Sequence, residues 1–102
     1  MQGFEDALKL GENLFFERKF GRARVKEELE KRSIPEVVIE EVMSRLDPGY
    51  EERHIKHIII GKYGRRLFID HEKEKIVRML SRFGYAEEKA RRVLDTLERA
   101  EF

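Results

Sequence analysis

Apolar residues recur along this chain at helical spacing in six separate stretches. Phe4, Ala7, Leu8, Leu14 and Phe15 predict a first helix over about residues 4–18. Val25 and Leu29, one turn apart, predict a second over about 22–32. Val38, Val42 and Leu46, with Ile39 and Met43 beside them, predict a third over about 35–46. Ile55, Ile58 and Ile59 place a fourth over about 50–62, and Ile76, Leu80 and Phe83 a fifth over about 71–83. Ala90, Val93, Leu94 and Leu97 place the sixth over about 86–100.

Polar punctuation sets the ends. Pro35 suits a first helical turn, and Ser33-x-x-Glu36 has the form of a capping box. Asp47-Pro48-Gly49 is the sharpest break. Asp70 is placed to cap the fifth helix, and Gly84 to end it in a left-handed residue. Residues 63–70 read as a loop whose Leu67-Phe68-Ile69 tucks back onto the core, a short extended segment being the alternative. The expected class is all-α: six helices in two tandem three-helix repeats, residues 1–47 and 48–102. Leu29 and Leu80 are the expected anchors of the two small cores.

The duplication is visible in the residues. From Val25 and Ile76 onward two copies align at an offset of 51: Leu29 with Leu80, Ser33 with Gly84, Ile34 with Tyr85, Val42 with Val93, Leu46 with Leu97. Upstream, Lys19-Phe20-Gly21-Arg22 matches Lys62-Tyr63-Gly64-Arg65 at an offset of 43, so the second copy carries eight more residues at about 63–70. Tandem helical repeats generally present a surface to a partner.

Composition narrows the partner. Charged residues make up 42% of the 102 and hydrophobic ones 40%, so a small core sits under a densely charged surface. There is no Cys, no apolar run near the roughly 18–20 residues of a membrane helix, and no secretory pattern in Met1-Gln2-Gly3. A cytoplasmic protein without membrane contact is expected. The net charge of +1 hides segregation: residues 1–52 hold 9 Lys+Arg against 13 Asp+Glu, and residues 53–82 hold 9 against 3 together with all three His. A basic centre between acidic flanks fits an anionic partner and equally fits a solvated face.

Reaction chemistry is scarce. No phosphate loop, nucleophile elbow or zinc-binding helix motif is present. His54 and His57 sit one turn apart, too few ligands for a metal site. Glu27-Glu28, Glu40-Glu41, Glu51-Glu52 and Glu87-Glu88 read as solvated helix surface. No enzyme, cofactor or small-molecule substrate is expected. Basic residues are the better candidates: Lys75, Arg78 and Arg82 form one stripe, Arg65 and Arg66 precede it, and Arg22, Arg24 and Lys26 form a secondary set diluted by glutamates. A helix-turn-helix-like module binding nucleic acid directly is the alternative, opposed by Glu36, Glu40, Glu41, Glu87, Glu88 and Asp95 on the third helix of each copy.

Gly21-Arg22-x-Arg24-Val25-x-x-Glu28-Leu29-x-x-Arg32-Ser33-Ile34 resembles the Gly-x-x-Arg-Ile-x-x-Glu-Leu-x-x-Lys-Gly-Ile segment of RecX regulatory proteins. Lys62-Tyr63-Gly64 followed by Glu74-Lys75-Ile76-x-Arg78-x-Leu80-x-Arg82-x-Gly84-Tyr85 resembles the family's last repeat. The resemblance spans about residues 4–97 and covers the second and third of three family repeats, with a remnant of the first before them. It implies a non-enzymatic inhibitor of RecA recombinase, lodged along the RecA–DNA filament and reaching DNA through it, acting in recombination and SOS repair. One departure is local: Ser33 stands where the family has Gly, at a turn that favours a left-handed residue.

Overall fold

The computed structural model describes residues 3–101, for 100 and 101 the backbone alone; Met1, Gln2 and Phe102 lie outside them. The described residues form six helices and no strand, in a body of 50 × 20 × 19 Å. They are α1 (Phe4–Glu12), α2 (Arg22–Lys31), α3 (Glu36–Ser44), α4 (Tyr50–Tyr63), α5 (Asp70–Arg82) and α6 (Glu87–Glu101). α1 runs on without a break into a π-helical stretch, Asn13–Glu17. A regular helix was expected there. Leu14, Phe15 and Phe16 are consecutive and all turn at least partly inward, which the wider π turn accommodates.

Two hydrophobic clusters lie on either side of Asp47-Pro48-Gly49. One centres on Phe15, Val25, Leu29, Ile39, Val42 and Leu46, the other on Ile55, Ile59, Ile76, Leu80, Val93 and Leu94. Leu29 and Leu80 are both fully buried. α1 meets α3 at Gly11, where a Cβ would stand 2.6 Å from a Val42 methyl. In the loop before α5 only Phe68 tucks in; Leu67 and Ile69 are 58% and 67% exposed. The buried Phe68 is held by its N–H donating to Glu98 at 2.8 Å, which leaves its two neighbours pointing outward.

The α2–α3 and α5–α6 turns close with the same hydrogen bonds. Ser33 N–H donates to Glu30 and Ile34 N–H to Leu29; Gly84 N–H donates to Ser81 and Tyr85 N–H to Leu80. Each is a Schellman turn, with the buried Ile34 or Tyr85 beyond the left-handed residue and a buried leucine three residues before the cap. Ser33 and Gly84 have φ of 58° and 102°. The left-handed Ser33 cannot also cap α3, so the expected capping box is not formed; Pro35 stands at the cap, one residue before the expected first turn. Asp70 likewise begins α5 rather than capping it. Ile69 is the cap residue, and its N–H donates to Glu72 at 3.3 Å.

The two clusters are joined by a close interlock. Gly21 N–H donates to the Phe83 carbonyl at 2.7 Å, and a Cβ on Gly21 would stand 2.3 Å from the Gly84 oxygen. Phe20 meets Phe83 edge-on at 5.7 Å, and the buried Tyr85 hydroxyl donates to the Lys19 carbonyl. Glu51, expected on the surface, is buried here. It accepts the Arg22 N–H at the start of α2 (2.9 Å) and the Lys89 ammonium of α6 (2.8 Å), which compensates the desolvated carboxylate.

Candidate partner-binding surface

The outward side of α5 is set by its inward side. Ile76, Val77 and Leu80 face the core, so residues 71, 75, 78 and 82, at i, i+4, i+7 and i+11, face away from it. His71, Lys75, Arg78 and Arg82 are all exposed there, in a line of about 16 Å at the helical rise. The three-residue stripe expected from the sequence is therefore longer by His71, whose position an i+4 step back from Lys75 would have signalled.

Nearby carboxylates are already engaged. Arg66 grips Glu72 with both terminal nitrogens, at 2.7 and 3.1 Å, and Arg91 of α6 grips Glu74 at 2.8 and 2.9 Å. Those guanidinium hydrogen bonds hold both carboxyl groups below the usual carboxylate range. Glu98 is held down in the same sense, first by the Phe68 N–H and then by Lys73 at 2.9 Å. Lys75, Arg78 and Arg82 have no ion pair among the described residues, so their charge stays available. Arg65 is exposed on the loop. Arg66 is exposed and lies over the Phe68 ring at 4.8 Å, with its charge matched by Glu72.

Two of the secondary set, Arg22 and Arg24, also hold the fold together. Arg22 is half-buried and caps α3, donating to the carbonyls of Leu46 (2.9 Å) and Met43 (2.8 Å). Arg24 lies over the Phe20 ring at 4.4 Å, pairs with Glu28 at 3.0 Å and donates to the Arg82 carbonyl across the interlock at 2.9 Å. Both are needed by the fold: the sequence signals their charge, and the carbonyls they satisfy lie 21 to 58 residues away. Lys26 is exposed on α2.

The histidines separate too. His57 is exposed, whereas His54 is buried against Phe15 and Phe16 of the π turn and stacks on Tyr50, with its Nδ1 unpartnered. Burial, reinforced by Lys19, holds its pKa below the ordinary histidine value. Among the described residues no three His, Asp or Glu are grouped to hold a metal, and no helix is long and apolar enough to cross a membrane. What the α5 line presents is exposed positive charge. Comparison with protein families, with curated proteins and with solved structures gives no match.

Proposed function

We propose that this protein is a RecX-type regulator of a RecA-type recombinase, docking on the recombinase–DNA filament and restraining its turnover without a reaction of its own. The observation that carries this is the line Lys75, Arg78 and Arg82, unpaired and exposed while Glu72 and Glu74 beside it are neutralised by Arg66 and Arg91. This line makes a positively charged edge suited to the acidic and phosphate groups of a nucleoprotein groove, with Arg65 and the Glu72-paired Arg66 on the loop before it. The two helical triplets are read as the family's second and third repeats. Support comes from their Schellman turns, which recur at the offset of 51 found in the sequence. Residues 22 and 24 are assigned to the fold instead, and a cytoplasmic setting follows from the partner.

The test is DNA-stimulated ATP hydrolysis by the cognate recombinase. The protein should slow it at well below one molecule per recombinase monomer. Unchanged hydrolysis and strand exchange at saturating protein would refute the proposal. Recognition of DNA by the third helices is disfavoured, because Glu36, Glu40 and Glu41 on α3 and Glu87, Glu88 and Asp95 on α6 are all exposed and would repel phosphates.

A further inference from the structure

The offset of 51 that aligns the two copies also aligns two hollows on the surface. One, of about 340 Å³, lies between α2 and α3 and is lined by Arg22, Lys26, Ile39, Glu40, Met43 and Ser44. The other, of about 180 Å³, lies between α5 and α6 and is lined by Lys73, Arg91, Leu94 and Asp95. These four are the counterparts, at that offset, of Arg22, Glu40, Met43 and Ser44. The second hollow is bridged by the chain itself. Arg91 of α6 reaches Glu74 of α5 at 2.8 Å, and Lys73 of α5 reaches Glu98 of α6 at 2.9 Å. Across the first there is no such bridge among the described residues, because the ion pairs of α2 and α3 each stay within one helix. Glu40 stands where the second copy has Arg91 and Ala23 where it has Glu74, so the bridging pair is missing at both ends. The α2–α3 hollow is left open over the buried Ile39 and the half-buried Met43.

Val37 extends this apolar surface. It lies three residues before Glu40 and seven before Ser44, on the same edge of α3, and is 72% exposed. Its counterpart at the offset is Glu88, an ordinary surface residue. Three other large apolar side chains are exposed among the described residues: Tyr50, Leu67 and Ile69. Tyr50 is stacked on His54 and overlaid by Arg53, which leaves Leu67 and Ile69 as the uncovered pair. They stand in the segment that only the second copy has, turned outward on either side of the buried Phe68.

Charge says what these two patches fit. Glu36 and Glu40, beside Val37, are exposed and in no ion pair among the described residues. Leu67 and Ile69 end a stretch, 53–69, with no Asp or Glu, and Lys75 on the following helix is unpaired. We infer that the protein associates head to tail with a second copy of itself, the outward Leu67 and Ile69 of one copy covering Val37 and the α2–α3 hollow of the next. The acidic first half then meets the basic centre of its neighbour, whereas pairing like patches would set like charges together. Two different patches make the contact heterologous, so each copy in a pair keeps one patch for a further copy.

The experiment is sedimentation velocity of the full chain over rising concentration at low salt. Wild type should grow beyond the mass of one chain. Val37→Asp, and separately Leu67→Asp with Ile69→Asp, should each weaken association by about tenfold or more. Both variants should keep the wild-type melting temperature, since an acid suits the first turn of α3 and Asp is a good cap at position 69. An equimolar mixture of the two should regain wild-type affinity but stop at two chains, because one variant retains the loop and the other the hollow. Wild type that stays monomeric up to about 1 mM, undiminished association by either variant, or a mixture no stronger than its parts would each overturn the inference.

Discussion

Replacing Gly84 by alanine perturbs one of the tightest approaches in the interlock. A Cβ at Gly84 would lie 2.4 Å from the Arg24 Cβ and 2.5 Å from its backbone nitrogen, about 1 Å inside ordinary contact, and those atoms belong to the first turn of α2. Two costs combine. A φ of 102° is unfavourable for any residue with a Cβ, at ~1–2 kcal/mol. Overpacking against backbone adds ~1–3 kcal/mol, since α2 must shift and loosen the Gly21-to-Phe83 hydrogen bond and the Phe20–Phe83 contact. The expected loss is about 3 kcal/mol, or a fall in Tm of at least ~10 °C for a domain of this size. Urea unfolding followed by helical circular dichroism reads it directly. A loss below ~1 kcal/mol with an unchanged slope would refute the interlock, because relief would then be free and the two clusters would not be pressed together at this point.

Ser33→Gly, the counterpart substitution, should stabilise the chain by about 0.5–1 kcal/mol, the relief of φ 58° outweighing the added freedom of the unfolded chain; destabilisation in urea would contradict it. Leu80→Ala should cost ~2–5 kcal/mol in the same assay, and a cost under ~1 would mean that the second core is not centred there. His54 has a lowered pKa when folded, so the unfolded chain takes up its proton first as pH falls. The stability this withholds is fully present above the unfolded histidine value of about 6.5 and is lost as pH drops from there toward the depressed folded value. His54→Leu should flatten the pH 5–7 limb of the stability curve, measured by urea midpoint, and an equally steep limb would show that another group titrates.

The helices were legible because their apolar residues obey a local rule, and the α5–α6 turn was legible because Gly84 announces it. What escaped depends on partners distant in sequence. Nothing local marks Glu51 for burial: its compensation comes from the α2 N–H and from Lys89, 38 residues on. His54 reads as half of a ligand pair until the π turn brings Phe15 and Phe16 against it. The α5 stripe was legible from spacing, but its freedom was not, since that rests on Arg66 and Arg91 having taken Glu72 and Glu74. The structural hydrogen bonds of Arg22 and Arg24 escaped for the same reason, their carbonyl partners being set by tertiary contacts.

The outer face of α5 is the core of the functional account, and charge reversal tests it most directly. Lys75→Glu, Arg78→Glu and Arg82→Glu together leave the inward residues and the Arg66–Glu72 pair in place, so helical content should be retained. In the recombinase ATPase assay wild type should suppress turnover and the reversed protein should not. Suppression by the reversed, folded protein equal to that of wild type would contradict the account.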